Sequence, residues 1–357
     1  MKKMERVFAT ILALGMVFAL AACGGGNTQG SGSSGSSGSS SDSSGSASSS
    51  TNESSGASKT ETYRLALGTS STGSTYYILG TGWANIMQEK VPGVEMSIEA
   101  TPGGITNMQS MRSGDMDLGM TTCWLAGDGW NGTAWADGTK YDNCRSLFPT
   151  HSSVMYIFTL ADSGIETIQD CEGKRVGCGA AGSTSGDGAP LLFEALGITP
   201  ASYTGLASTG MCDALKDGTI DVGIGVTGVP ASWLLDLETT KDIRLIPLSD
   251  DDLAAVLKDQ PYWAKGAIPG GVYKNHEEDI PCIAYWNMII ANESLSEDLV
   301  YDLCKATYES IDELAEVDQN ARSIDTQYLD TMTMPLHPGA VRYYEEVGVD
   351  IPDFLLG

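Results

Sequence analysis

Two glycine-bounded stretches concentrate the hydroxyl groups able to hold a small polar molecule, Gly68–Tyr77 (GTSSTGSTYY) and Gly177–Gly188 (GCGAAGSTSGDG). Each runs out of a short strand-like segment, Leu65–Leu67 or Arg175–Val176, and into a helix-like one. At a helix start, backbone N–H groups and the macrodipole favour an anion, and a carboxylate suits that chemistry. The candidate donors are Thr69, Ser70, Ser74 and Thr75 in the first stretch and Ser183, Thr184 and Ser185 in the second. Neither stretch contains Lys or Arg, so an anion would be held by neutral donors. Taken singly, each hydroxyl reads as a helix cap. Taken as two loops facing one cleft, they read as a binding site.

The elements that must position these loops are written twice. Met108–Met120 (MQSMRSGDMDLGM) and Met211–Ile224 (MCDALKDGTIDVGI) share one punctuation: a helix-like run, a basic last turn, Gly114 or Gly218, then Asp117 or Asp221 before an apolar alternation. Glycine after a basic turn is a helix stop, and the alternation that follows reads as a buried strand. Asp117 and Asp221 read as structural residues at strand starts. Strand, polar loop, helix, strand, helix, strand is a βαβ alternation, which yields mostly parallel sheets with helices on both faces. Two such units imply two α/β lobes and a cleft between them.

Other chemistries find little support. Gly177, Gly179 and Gly182 match G-x-G-x-x-G, but the segment Gly197–Tyr203 lacks the carboxylate that holds a ribose, and neither glycine loop carries a Walker lysine. His151, His276 and His337 stand in no nucleophile or metal pattern. Seven cysteines follow Cys23, an odd number without zinc spacing. They read as small buried hydrophobes, with Cys171–Cys178 or Cys123–Cys144 left open as disulfides. The expectation is a protein that binds without catalysis, cofactor or metal.

Of 357 residues 46 are acidic and 20 basic, a net charge of −26. Such a field repels nucleic acid and anionic lipid, and keeps the chain soluble. Residues 1–22 read as a signal peptide: a basic start, an apolar stretch Val7–Leu20 too short for an ordinary span, and Leu20-Ala21-Ala22 before Cys23. That ending fits a lipobox, making Cys23 the acylated first residue and the membrane a partner through its lipid. Residues 23–60 form a Gly/Ser-rich tether with nothing apolar to bury. Lobe 1 is expected from 61–153 with 292–357, lobe 2 from 154–291, with hinges at Ser152–Thr159 and Ile283–Ala291. Pro261–Trp263 and Ile268–Tyr273 read as a long loop near the hinge whose aromatics pack over a ligand or against the lobe.

From Tyr63 to Gly357 the ordered motifs GTSSTGSTYYILG, VEMSIEATPGG, SGDMDLG, EGKRVGCGAAGSTS, DGTIDVGIGVTGVP, IPGGVY and LHPGAVRYYEEVG resemble the TAXI group of solute receptors, which serve tripartite ATP-independent periplasmic (TRAP) transporters. The resemblance implies a two-lobed type II periplasmic-binding-protein fold closing on glutamate, a related amino acid or a dicarboxylate, with TRAP permease subunits as partners. By motif it implies ligand contacts at Thr69, Ser70, Thr75 and Tyr76, and at Gly103, Gly104 and Ile105. It adds Thr121, Thr122, Cys123 and Trp124, where many relatives carry Gln or an Asp-rich segment, then Gly182, Ser183 and Ser185, and Val226, Thr227, Gly228, Val229 and Pro230. Trp124 reads equally as cleft lining or core. Two rival functions use the same cleft: a ligand-sensing module for a membrane signalling protein, and a secreted enzyme, which would need a positioned base.

Overall fold

A computed structural model describes residues 62–357; the expected signal peptide, Cys23 and the whole tether lie outside them. The order is β1 (Tyr63–Gly68), α1 (Thr75–Lys90), β2 (Val94–Glu99), α2 (Gly104–Ser113), β3 (Leu118–Thr122), α3 (Cys123–Asn131) and β4 (Cys144–Leu160). There follow β5 (Arg175–Cys178), α4 (Thr184–Leu196), β6 (Ser202–Gly205), α5 (Ser208–Lys216), β7 (Val222–Thr227), α6 (Ser232–Leu237) and β8 (Ile243–Leu245). The chain closes with α7 (Asp250–Leu257), β9 (Ala264–Ile268), β10 (Ile280–Asn292), α8 (Glu297–Glu309), α9 (Ile311–Val317) and α10 (Pro338–Glu346).

The strands share one sheet in the order β2-β1-β3-β10-β4-β7-β5-β6, with β8 beside β4 and β9 beside β10. At each end three strands run parallel, β2-β1-β3 and β6-β5-β7, so the doubled βαβ unit stands at both ends of the sheet. Between them lie β4 and β10, antiparallel to each other. Residues 287–291 of β10 pair with β3, while 154–158 of β4 pair with β7, so these strands join the two halves. Register shifts interrupt their ladder between Trp286 and Met288 and between Ile289 and Ile290. Both expected hinges fall within this pair.

One apolar cluster, including Leu67, Trp83, Met108, Phe148 and Leu303, packs the first half. Two others, around Phe193 and Ile224 and around Phe158 and Trp233, pack the second. The result is the two-lobed α/β type II solute-binding fold. Among the described residues no helix is long and apolar enough to cross a membrane.

The aspartates of the doubled punctuation do the same work twice. Asp117 donates its N–H to the Ala66 carbonyl at 3.1 Å and accepts from the Ala66 N–H through Oδ2 at 2.8 Å, clamping β3 to β1. Asp221 donates to the Arg175 carbonyl and accepts from the Arg175 N–H, both at 2.8 Å, clamping β7 to β5. The second clamp adds a pair from Arg175 Nη2 to Asp221 Oδ1 at 2.6 Å. Gly114 closes α2 in the left-handed conformation at φ 84°. In the second copy Asp217 ends α5, and Gly218 takes φ 64° just beyond.

One possibility left open is closed, and one expectation is corrected. All seven described cysteines are free and buried, so neither Cys171–Cys178 nor Cys123–Cys144 forms a disulfide. Burial pushes the thiols of Cys123, Cys144, Cys171, Cys212 and Cys282 up to about 12 and that of Cys178 to about 11. The stretch after Pro261 is not one long loop, because 264–268 pair with β10 as β9. Its aromatics pack inward: Trp263 stands edge-on to Trp124 with ring centroids 5.0 Å apart, and the Tyr273 hydroxyl accepts from the Ala231 N–H at 2.7 Å.

Pairing with Arg175 holds the Asp221 carboxyl below the usual carboxylate range. Its unfolded counterpart titrates near pH 3.9, so its stabilisation is present above that pH and lost as pH falls through the lower folded value. We predict that Asp221→Asn lowers unfolding free energy by about 1–2 kcal/mol at pH 7, and that the difference from wild type shrinks toward pH 3 in urea titrations.

Candidate functional site

A cavity of about 220 Å³ lies between the two halves, on the side where the parallel strands end. Four segments form its wall: Ser70–Ser74 before α1, Thr101–Gly104 entering α2, Gly179–Ser185 entering α4, and Leu206–Ser208 entering α5. Four helices of 16, 10, 13 and 9 residues therefore start at one cavity. The βαβ repeat dictates this arrangement, since every crossover helix of a parallel sheet begins at the carboxyl ends of the strands. Tyr76, Ser153, Val226, Thr227 and Asn287 complete the floor and sides with Met211. No lining residue is charged.

The helix starts are not equivalent. Ser74 caps α1 by accepting from the Tyr77 N–H at 3.2 Å, and Ser183 caps α4 by accepting from the Gly186 N–H at 3.1 Å. At α2 and α5 the capping positions are Gly103 and Ala207, and neither supplies a side-chain cap. Gly103 adopts φ +144°, and a Cβ there would lie 3.2 Å from the Ser183 Cα, so a side chain would separate the facing loops.

Beneath the cavity a polar network ties the joining strands to α1. Tyr76 donates through its hydroxyl to Asn287 Oδ1 at 2.5 Å, while Asn287 Nδ2 donates to the His151 carbonyl at 2.6 Å and to Ser153 Oγ at 2.9 Å. His151 is fully buried, with Nε2 3.3 Å from Ser153 Oγ and Nδ1 without a partner among the described residues. Burial lowers its pKa from 6.5 to about 4, against a weaker opposing pull from Asp318. It is neutral at pH 7.

Hydrogen bonds join the halves on both flanks of the cavity. On one, Thr75 Oγ1 lies 3.0 Å from Thr227 Oγ1 and accepts from the Gly228 N–H at 3.2 Å, and Ser232 donates to the Gly73 carbonyl at 3.0 Å. On the other, the Ile105 N–H donates to the Gly182 carbonyl at 3.1 Å.

Of the expected ligand contacts, Ser70, Ser74, Tyr76, Gly103, Gly104, Ser183, Ser185 and Thr227 line the cavity, as do Thr184 and Val226. Thr75, Ile105, Gly182 and Gly228 instead hold the halves together beside it. Thr69 is buried behind the wall, its hydroxyl donating to the Glu99 carbonyl at 2.8 Å. Thr121 lies buried beneath α2, and Thr122 caps α3 by accepting from the Leu125 N–H. Trp124 is core, stacked on Tyr285 with centroids 5.8 Å apart. Val229 packs against the second half's core. The wall residues absent from the sequence reading include Ser71, Thr101, Ser153, Ala207, Ser208 and Asn287. For Asn287 a signal existed: it is a polar residue inside an otherwise apolar run of β10.

A two-lobed α/β frame with helix starts around a neutral cleft is the type II solute-binding fold. A family model described as the NMT1-like family matches residues 67–348, and the chain belongs to that family. The TAXI resemblance agrees with this assignment. Among solved structures, MatC from Rhodopseudomonas palustris, with bound malate, aligns at a TM-score of 0.53 and 12% identity over 80% of this chain and 96% of that one. A protein from Bordetella bronchiseptica RB50 aligns at 0.48 and 17% identity, covering 83% and 92%. A TctC solute-binding protein from Polaromonas aligns at 0.45 and 14%, covering 80% and 97%.

Two outcomes are expected for the network. Asn287→Ala strands the Tyr76 and Ser153 hydroxyls and should lower unfolding free energy by about 2–3 kcal/mol in urea titrations. Because His151 stays neutral when folded but takes a proton near pH 6.5 when unfolded, stability should fall as pH drops from about 6.5 to about 4. His151→Gln should remove that portion of the pH dependence.

Proposed function

We propose that this chain is an extracytoplasmic solute-binding lipoprotein that captures a small carboxylate and delivers it to a TRAP-type membrane transporter. Glutamate, a related amino acid or a dicarboxylate are the ligands the TAXI resemblance puts first. The observation that carries the reading is the cavity ringed by four helix starts without a charged side chain. Such a ring stabilises negative charge through backbone dipoles, each equivalent to roughly half an elementary charge. A cavity of about 220 Å³ suits a small metabolite. Lobe 1 would comprise 61–153 with 292–357 and lobe 2 154–291, bending at β4 and β10. Closing over the ligand excludes water and strengthens its polar contacts. Acylated Cys23 and the 23–60 tether would hold the lobes near the membrane, within reach of permease subunits.

Calorimetric titration of the full chain with glutamate, glutamine and 2-oxoglutarate tests the binding claim, with saturable binding of at least one expected. Absence of heat from all three at millimolar concentration overturns it. Cys23→Ala should release the protein from the membrane fraction into the soluble one; retention would refute the anchor.

A further inference from the structure

The wall says more about the ligand than that it is an acid. A free amino acid brings an ammonium as well as a carboxylate, and a desolvated ammonium needs a carboxylate or comparable acceptor nearby. The wall contains no Asp or Glu. Asp187, on the first turn of α4, is not part of it; its Oδ2 accepts from the Gly182 N–H at 3.0 Å. Tyr76, the aromatic ring on the wall, has its hydroxyl committed to Asn287. All four helices meanwhile present their positive ends, which repel a cation.

Two of those ends lack a side-chain cap. The start of α2 is buried at Gly103 and Gly104 and has no side-chain cap. The start of α5, across the cavity, has Ala207 at the capping position and none either. At α2 the Ile105 N–H already meets the Gly182 carbonyl, and at α5 Ala207 is exposed, so the remaining uncapped N–H groups at both starts are open to an acceptor from the cavity. A separate group points to the same occupant: Thr184 is 8% exposed and on the wall, and its hydroxyl makes no hydrogen bond to a described residue. Its hydroxyl is a donor ready for an oxygen acceptor.

Resting on the carboxylate reading above, we infer that the cavity selects an organic acid without an ammonium group, its negative charge seated between the uncapped starts of α2 and α5. Hydroxy acids and oxo acids have this chemistry. Their extra oxygens suit the hydroxyls of Thr184, Ser185 and Ser208, whereas an α-ammonium would find no carboxylate on the wall and four helix-start dipoles of its own sign.

The test compares acids matched except at the amine, titrated calorimetrically into the full chain: 2-oxoglutarate and 2-hydroxyglutarate against glutamate, and pyruvate and lactate against alanine. The amine-free member should bind at least about tenfold more tightly in each pair that binds. Glutamate or alanine binding as tightly as its partner overturns the inference and leaves the carboxylate reading standing. Binding by no acid removes both.

Two variants at Ala207 test the seat of the charge. Its φ −65° and ψ 156° already suit a capping side chain. Ala207→Asp places the protein's own carboxylate on α5, so the melting temperature should hold or rise while acid affinity falls at least about tenfold. Ala207→Asn, a neutral cap of the same size, takes up the same N–H groups without adding charge and should lose clearly less affinity than Ala207→Asp. Unchanged affinity in Ala207→Asp, or equal loss in both variants, overturns the placement.

Discussion

Backbone N–H groups at the start of a helix must find acceptors, and this fold brings four such starts to one place. The parallel order of β2-β1-β3 and β6-β5-β7 sends each crossover helix out from the same edge of the sheet. The wall can therefore be electropositive without a single Lys or Arg in it. In a chain carrying a net charge of −26, that local sign comes from peptide geometry and opposes the field of the side chains.

What keeps the wall in register is a set of polar clamps. Asp117 and Asp221 lock β3 to β1 and β7 to β5, fixing the heights at which the loops leave the sheet. Asn287 fixes the joining strands to each other and, through Tyr76, to α1. A buried network of this kind gives a unique arrangement where an apolar core alone would tolerate small slips. The Thr75–Thr227 and Ile105–Gly182 hydrogen bonds then set the spacing of the two halves.

Much of this was legible in the chain. The doubled helix stop and aspartate identified the repeated βαβ unit because both depend on local chemistry, a left-handed glycine and a carboxylate at a strand start. The hydroxyl loops were legible for the same reason, although Ser74 and Ser183 turn out to cap their own helices. The start of α5 was not, since Ala207 contributes only backbone and leaves no mark in a side-chain pattern. Ser153 and Asn287 were passed over as parts of apolar runs, their role depending on a pairing of strands more than a hundred residues apart in sequence. Trp124 was balanced between cleft and core until Tyr285 and Trp263 were brought against it.

The buried thiols give the molecule built-in reporters. Cys123, Cys144 and Cys304 sit in the core of the first half, whereas Cys171, Cys178, Cys212 and Cys282 sit in those of the second. Thiols pushed so far toward the protonated form, and shielded from solvent, react with alkylating reagents only when their surroundings open. Alkylation kinetics resolved by peptide mass thus separate loosening of one lobe from loosening of the other, without a foreign label.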